Sequence, residues 1–280
     1  MVFPVVTKDL ALRVGRSEAD HMASWLESIG READSPFAVE IRRFGDTVAL
    51  RSKGPEGATL GPLFNRVLCF GDAEVARLEE IVRFYGETGQ PCRIDALPYA
   101  VEAPTLRRLF EAGFCPIRSH DHLYGVPLAD GGDGIAPEIT VREIAEEERA
   151  VWAEVWRRGF LEVSAIDPAH YPRVAAATAQ LHGRDGWTLY LAFCQGKPAA
   201  AGGLYVGDGI GTLAFAGTAP EYRRRGCQQA LLRARMADAA ARGCDLVAAQ
   251  AALGATSHHN MERAGFRIAY TRTFWVSRTP

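Results

Sequence analysis

The stretch that most constrains this chain is LAFAGTAPEYRRRGCQQALLRARMADAAARG, residues 213–243. An apolar run stops at Pro220, three arginines (Arg223, Arg224 and Arg225) crowd against Gly226, and a long helical pattern follows at once. The start of a helix already carries the positive end of its dipole, so a triple arginine there costs stability unless an anion sits against it. Backbone N–H groups at a helix start lack intrahelical partners and point outward, and a glycine lets a bulky anion approach the chain closely. The stretch therefore reads as a strand–loop–helix unit built around an anion.

The flanking sequence predicts what surrounds it. ITVREI (139–144) alternates like a strand, and AEEERAVWAEVWRRGF reads as an amphipathic helix. A second helix is expected from Pro168 to about Leu181. WTLYLAFC (187–194) and KPAAAGGLYV (197–206) are strands joined by a Gln-Gly turn, and IGTLAFAGT (210–218) is the next strand. The helix from Arg224 to about Arg242 places Leu232, Met236 and Ala239 on one face. DLVAAQA is a continuous apolar strand, a helix at 256–264 has Ser257 as its cap, and FRIAYTRTFWV supplies one or two closing strands. Antiparallel strands followed by a strand–helix–strand crossover make a mixed α/β (α+β) sheet.

The chain also repeats itself. VPLADGGDGIAPE (126–138) is rich in Gly, Pro and Asp and is the best candidate linker, splitting the chain into halves of similar size. Residues 91–128 lie without a gap over 243–280, with Gly265 over Gly113 at an offset of 152. The match includes Cys92 with Cys244 and the triplet Ala112-Gly113-Phe114 with Ala264-Gly265-Phe266. Both blocks read strand, short helix, Ala-Gly-Phe, strand. The expected organisation is a first domain over 1–128, a linker over 129–138 and a second domain over 139–280.

Composition narrows the function. The 280 residues carry a net charge of −2, against a general nucleic-acid binder. Six cysteines are scattered with no C-x-x-C pair, so no metal site and no disulfide framework is expected. The N-terminal sequence lacks a charged leader before an apolar core, and no apolar run approaches the ~18 residues of a membrane span. The expectation is a reduced cytoplasmic protein with no membrane and no nucleic-acid partner.

RRRGCQ, Arg223 to Gln228, resembles the R-x-x-G-x-G/A signature of the GNAT acetyltransferase superfamily, between its fourth strand and long third helix. ERAGF at 262–266 resembles the downstream region of the same family. The resemblance covers roughly 138–280, and the first half looks like a degenerate copy. It implies two GNAT-like domains, each a mixed, mostly antiparallel twisted sheet flanked by helices. It also implies acetyl-CoA as co-substrate, with no metal, and acetyl transfer to an amine of a small molecule or peptide; a homodimer is compatible with it. In the resemblance, Gly226, Cys227, Gln228 and their neighbours hold the pyrophosphate, with Arg223, Arg224 and Arg225 adding charge. Gln228 stands where the family has a second small residue, and the family's contact there is to backbone. Ala216, Gly217 and Thr218 resemble the splayed strand that pairs with the pantetheine arm, and in the resemblance Asn260 points towards the pantetheine or phosphate arm.

Catalytic groups depart from the family. The position of its general-acid Tyr is Met261, which carries no proton, and 210–218 has no carboxylate base. His258 and His259 lie nearby, and His259 is the candidate for proton traffic. Glu162 and Asp167, in FLEVSAIDPA, are candidates to line the acceptor site. Cys227 in the loop lies far along the cofactor from the acetyl group, so direct attack by the amine is expected. The alternative is a CoA-binding regulatory or scaffold protein with little catalysis. A dinucleotide site is set aside, because the loop has one Gly where that fingerprint needs three. In the first half, Asp72 and Glu74 stand at the equivalent helix start, good partners for its dipole and poor neighbours for a pyrophosphate.

Overall fold

A computed structural model describes residues 3–32, 35–128, 135–160 and 166–278. Residues 129–134 of the expected linker, and Glu162, lie outside the described residues. In chain order the elements are α1 (Lys8–Gly30), β1 (Ala38–Phe44), β2 (Thr47–Lys53), β3 (Arg66–Phe70), α2 (Leu78–Gly86), β4 (Arg93–Ala96), α3 (Ala103–Glu111) and β5 (Phe114–Gly125). They continue with β6 (Ile139–Glu143), α4 (Arg149–Phe160), α5 (Tyr171–Ala179), β7 (Trp187–Cys194), β8 (Lys197–Gly207), β9 (Ile210–Thr218), α6 (Cys227–Ala241), β10 (Leu246–Ala251), α7 (Thr256–Arg263) and β11 (Arg267–Ser277). No described helix is long and apolar enough to cross a membrane.

The chain forms two units: Leu123–Arg267 with the extreme N-terminus, and Pro4–His122 with Ile268–Pro280. The units differ from the sequence division at both boundaries: 123–128 go with 139–267, and 268–280 do not. The repeat predicts that a strand closes the chain, but strand pattern does not say which sheet it joins. Here β11 pairs antiparallel with β4, Phe274 opposite Asp95 and Trp275 opposite Ile94.

In the unit that contains Leu123–Arg267 the strands run in the order β10-β9-β8-β7-β6. The Gln195-Gly196 and Asp208-Gly209 pairs both have positive φ (52° and 74°, 48° and 73°), the two-residue hairpin geometry that matches strand twist. They join β7 to β8 and β8 to β9. α6 covers this sheet with Leu231, Leu232, Met236 and Ala239, packed with Val247, Ala249 and Phe266. The helix begins at Cys227 rather than Arg224, because Gly226 adopts a left-handed φ of 90°. The cap of α7 is Ala255, with no side-chain bond, rather than Ser257, which lies inside the helix.

In the other unit the order is β1-β2-β3-β4-β11-β5, and its apolar core joins Phe70, Ile81, Phe84, Ile94, Leu109 and Phe114. The repeat is visible in the backbone: Gly113 and Gly265 each end a helix with positive φ (84° and 91°), and Phe114 and Phe266 follow into the interior.

A closed ring of buried charges ties α1, β3, β4 and β11 together. Arg272 meets Glu18 at 2.5 Å and Asp95 at 3.0 Å, while Arg66 meets the same two carboxylates at 3.1 and 2.6 Å. His122 Nε2 lies 3.1 Å from Glu18. Burial alone would raise Glu18, but Arg272, His122 and Arg66 outweigh it and hold the carboxyl well below its ordinary range. Burial lowers His21, on the same helix, to about 4. Removing one member leaves an uncompensated buried charge, so Arg272→Met should cost about 3–5 kcal/mol in urea unfolding. Acid should act in the same direction. A depressed histidine stabilises above its unfolded pKa of 6.5 and loses that contribution as pH falls towards 4, on the order of 3 kcal/mol for His21. The Glu18 contribution is lost at lower pH still. Urea midpoints should therefore fall between pH 6.5 and 4, and His21→Asn should flatten that slope.

Candidate functional site

β9 and β10 start as parallel neighbours and then part. Their register runs through Ile210–Leu246, Gly211–Val247 and Thr212–Ala248 and stops there, although β9 continues to Thr218. On its other side β9 gains a residue against β8: Gly203 faces Ala214, and Ala201 faces Gly217. Phe215 takes a φ of 58° inside this bulge. A bulge adds twist and re-aims the strand, so residues 216–218 run on with one edge released from β10.

Close contact from α4 fixes that segment. A Cβ placed on Gly159 would lie 2.5 Å from the Thr218 nitrogen and 2.6 Å from the Gly217 carbonyl carbon. Only glycine permits this approach. Below it, Phe215 packs on Trp187 (ring centroids 4.9 Å apart) and edge-on to Trp156 (5.7 Å).

The strand hands over to a short 3₁₀ turn at Pro220–Tyr222 and then to the arginine loop. Arg224 has a φ of 61°, a strained conformation for a residue with a side chain, and Gly226 follows at 90°. Alternation of this kind turns successive N–H groups to one side. The N–H groups that open α6 have no intrahelical acceptor, no side chain caps Gly226, and the first turn holds no acid. Arg223, Arg224 and Arg225 are exposed. The nearby Glu221 is held by Arg158 at 2.8 Å, and Arg225 lies 5.8 Å over the Tyr222 ring. The result is a positive cradle beside the open edge of β9. Thr218 joins the two parts: its hydroxyl donates to Gln228 Oε1 at 3.4 Å, and its carbonyl accepts from Arg223 Nε at 3.4 Å.

The remaining predicted residues separate. Cys227 is buried against Cys194 and its thiol is pushed up by burial, so only its backbone faces the cradle. Asn260 ties α7 to α6 through its carbonyl, which accepts from Gln229 at 3.0 Å, while its side chain accepts from Arg263 at 3.2 Å. Met261 packs in the core and His259 is exposed on α7. Asp167 caps the turn before α5, accepting from Ala169 N at 2.9 Å. Sequence reasoning missed Gly159 and Arg235. The second left a signal: Arg235 falls on the same helical stripe as Leu231, Leu232, Met236 and Ala239, where a charged residue is out of place. No metal-binding cluster occurs among the described residues.

In the other unit β3 and β4 pair again at Phe70 and Ala96 after an irregularity, and Asp72 N donates to Ala100 O at 2.7 Å. Glu74, at the 152-residue offset from Gly226, lies inside the short turn that follows Gly71, its carboxyl raised by burial and by Asp46.

The family model of the acetyltransferase (GNAT) domain matches residues 134–253, which contain the splay, the loop and α6. That segment is similar to a GNAT domain. Solved structures extend the fold to nearly the whole chain. A GCN5-related N-acetyltransferase from Kribbella flavida is 17% identical, covering 94% of this chain and 96% of its own, with a TM-score of 0.60. A tandem GNAT protein from the clavulanic acid biosynthesis pathway is 17% identical, covers 94% of each chain and has a TM-score of 0.60. A GCN5-related N-acetyltransferase from Sphaerobacter thermophilus is 16% identical, covering 98% and 93%, at 0.57. A search of curated proteins finds no match.

In the matched segment, Gly159→Ala should drive a methyl group into the Gly217–Thr218 backbone. We expect a loss of about 1–3 kcal/mol by overpacking, read in thermal unfolding.

Proposed function

We propose that this protein is an acetyl-CoA-dependent N-acetyltransferase that moves an acetyl group to the amine of a small molecule or peptide by direct attack. The observation that carries the reading is the positive cradle at the uncapped start of α6, set beside the released edge of β9. A diphosphate fits its donors: outward N–H groups at Gly226–Gln229 and the exposed guanidinium groups of Arg223, Arg224 and Arg225. An extended amide-bearing arm fits the edge of Ala216–Thr218, whose backbone groups are free of β10 and can pair with it as a strand would. Bound there, acetyl-CoA would supply an activated acetyl group as a thioester.

The chain's own part is positioning and polarisation. Backbone N–H groups at the bulge hold the thioester oxygen as negative charge develops on it. Cys227 takes no covalent part, being buried with its thiol protonated. Met261 cannot donate a proton, and a departing thiolate of pKa ~8.5 needs only modest help at neutral pH, drawn from solvent or from exposed His259. General acid catalysis is typically worth ~10²–10⁴-fold, so its loss slows the reaction without abolishing it.

Calorimetry should show acetyl-CoA bound at one site per chain. Gly226→Glu should abolish it, because a carboxylate would enter the cradle at a left-handed position. Thiol release from acetyl-CoA on adding an amine library should detect turnover, and Cys227→Ala should keep it. Normal binding by Gly226→Glu would place the site elsewhere. Binding without turnover on any amine would instead support a CoA-binding regulatory or scaffold protein.

A further inference from the structure

Arg235 is fully buried in the middle of α6, and among the described residues no carboxylate bonds to it. Each of its described bonds goes to backbone: Nε donates to Leu231 O at 3.0 Å, and Nη1 donates to Gly203 O and Ala214 O, each at 3.1 Å. Nη2 has no hydrogen-bond partner among the described residues. Burial lowers its pKa to about 10, which leaves it charged at neutral pH. An unpaired buried guanidinium is among the most costly groups a fold can carry.

Its location explains what the cost supports. Gly203 and Ala214 form the last matched pair of β8 and β9 before the bulge, and matching resumes only at Ala201 and Gly217. The cation therefore holds both strands at the fork where β9 takes its extra residue. Gly202 makes room for it, since a Cβ there would lie 3.2 Å from the guanidinium carbon. Trp152 Nε1 takes the Gly202 carbonyl at 3.2 Å from the α4 side, so the same short segment is gripped from two helices. The peptide that accepts from Arg235 at Ala214 continues into Phe215, the left-handed residue of the bulge.

We infer that Arg235 is a positioning residue for the acetyl transfer proposed above: it clamps the β8–β9 bulge and so aims the backbone donors of Ala216–Thr218 at the thioester. The inference rests on that functional reading, but the clamp can be tested without it. Arg235→Met keeps the apolar volume and removes the donors, Arg235→Lys returns the charge and one donor, and Gly202→Ala displaces the guanidinium while leaving it in the chain.

Hydrogen–deuterium exchange over 210–218 in the unliganded protein tests the clamp alone. Arg235→Met should accelerate it by at least roughly tenfold, with Arg235→Lys in between. Thiol release from acetyl-CoA with the best amine of the library then tests positioning. Arg235→Met should lower kcat by roughly 10²-fold, the cost of small misplacement of reacting groups, with Kd for acetyl-CoA little changed and partial recovery in Arg235→Lys. Exchange and kcat both at wild-type values in Arg235→Met would overturn the inference, as would equal losses in kcat and acetyl-CoA affinity. Wild-type protein that fails to bind acetyl-CoA would sink the functional reading and leave the exchange result to decide the clamp. If Arg235→Met does not fold, Gly202→Ala carries both readouts with the same criteria.

Discussion

The site depends on one act of the backbone: β9 leaves β10 after Thr212 and Ala248 while remaining attached to β8. Buried or half-buried N–H and C=O groups need partners, so a strand edge released in the middle of a sheet is costly unless something takes the partner's place. The rest of the domain is arranged to hold that edge open. Gly159 presses α4 onto Gly217 and Thr218, Phe215 is seated among Trp156 and Trp187, and Arg235 grips the strands at the fork. The strand then delivers the chain directly to the loop in which Arg224 and Gly226 both adopt left-handed backbone. Open edge and anion cradle are thus consecutive in sequence and set by the same distortion.

The other unit has a related distortion but no cradle: β3 takes an extra residue between Val67 and Phe70, with Cys69 at a φ of 58°. In this unit, built on Pro4–His122 and the last strand, β3 and β4 pair again at the end of β4, and the helix start that follows spends its N–H groups on Ala100 and Gly71. Its buried polarity is invested differently, in the ring of Glu18, Arg66, Asp95 and Arg272. Buried ion pairs of this kind contribute less to net stability than to penalising their own disruption. Each charge in the ring comes from a different element, so the ring is complete only when β11 sits against β4 with Arg272 inward.

The chemistry also follows from packing. A thiol beside a cluster of arginines would be a candidate nucleophile if it were exposed, because positive neighbours favour the thiolate. Cys227 instead turns into the core against Cys194, where burial outweighs Arg225. Met261, at the expected acid position, and its neighbour Asn260 serve the contact between α7 and α6. What remains at the site is mainly backbone and arginine, a set suited to holding a charged carrier and an acyl carbonyl rather than to moving protons.

Much of this was legible in the chain. The period-two strands and their Gln-Gly and Asp-Gly turns, the Arg-rich loop before an amphipathic helix, and the two Ala-Gly-Phe helix ends are local, and local sterics decide them: hairpin turns and helix termini demand positive φ at those positions. Other features had no local cause. Ser257 is a good cap residue, but the chain enters α7 two residues earlier, at Ala255. His259 and Met261 were singled out by position along the chain, whereas the direction of each side chain depends on how α7 rolls against the sheet. Only tertiary structure decided that β11 joins the sheet of β4, because an alternating strand pairs equally well with any compatible edge until a buried Arg272 finds its carboxylates. The splay of β9 and the burial of Arg235 were settled at that same level: pairing of distant strands, not the propensity of any residue in them, determines where a sheet opens.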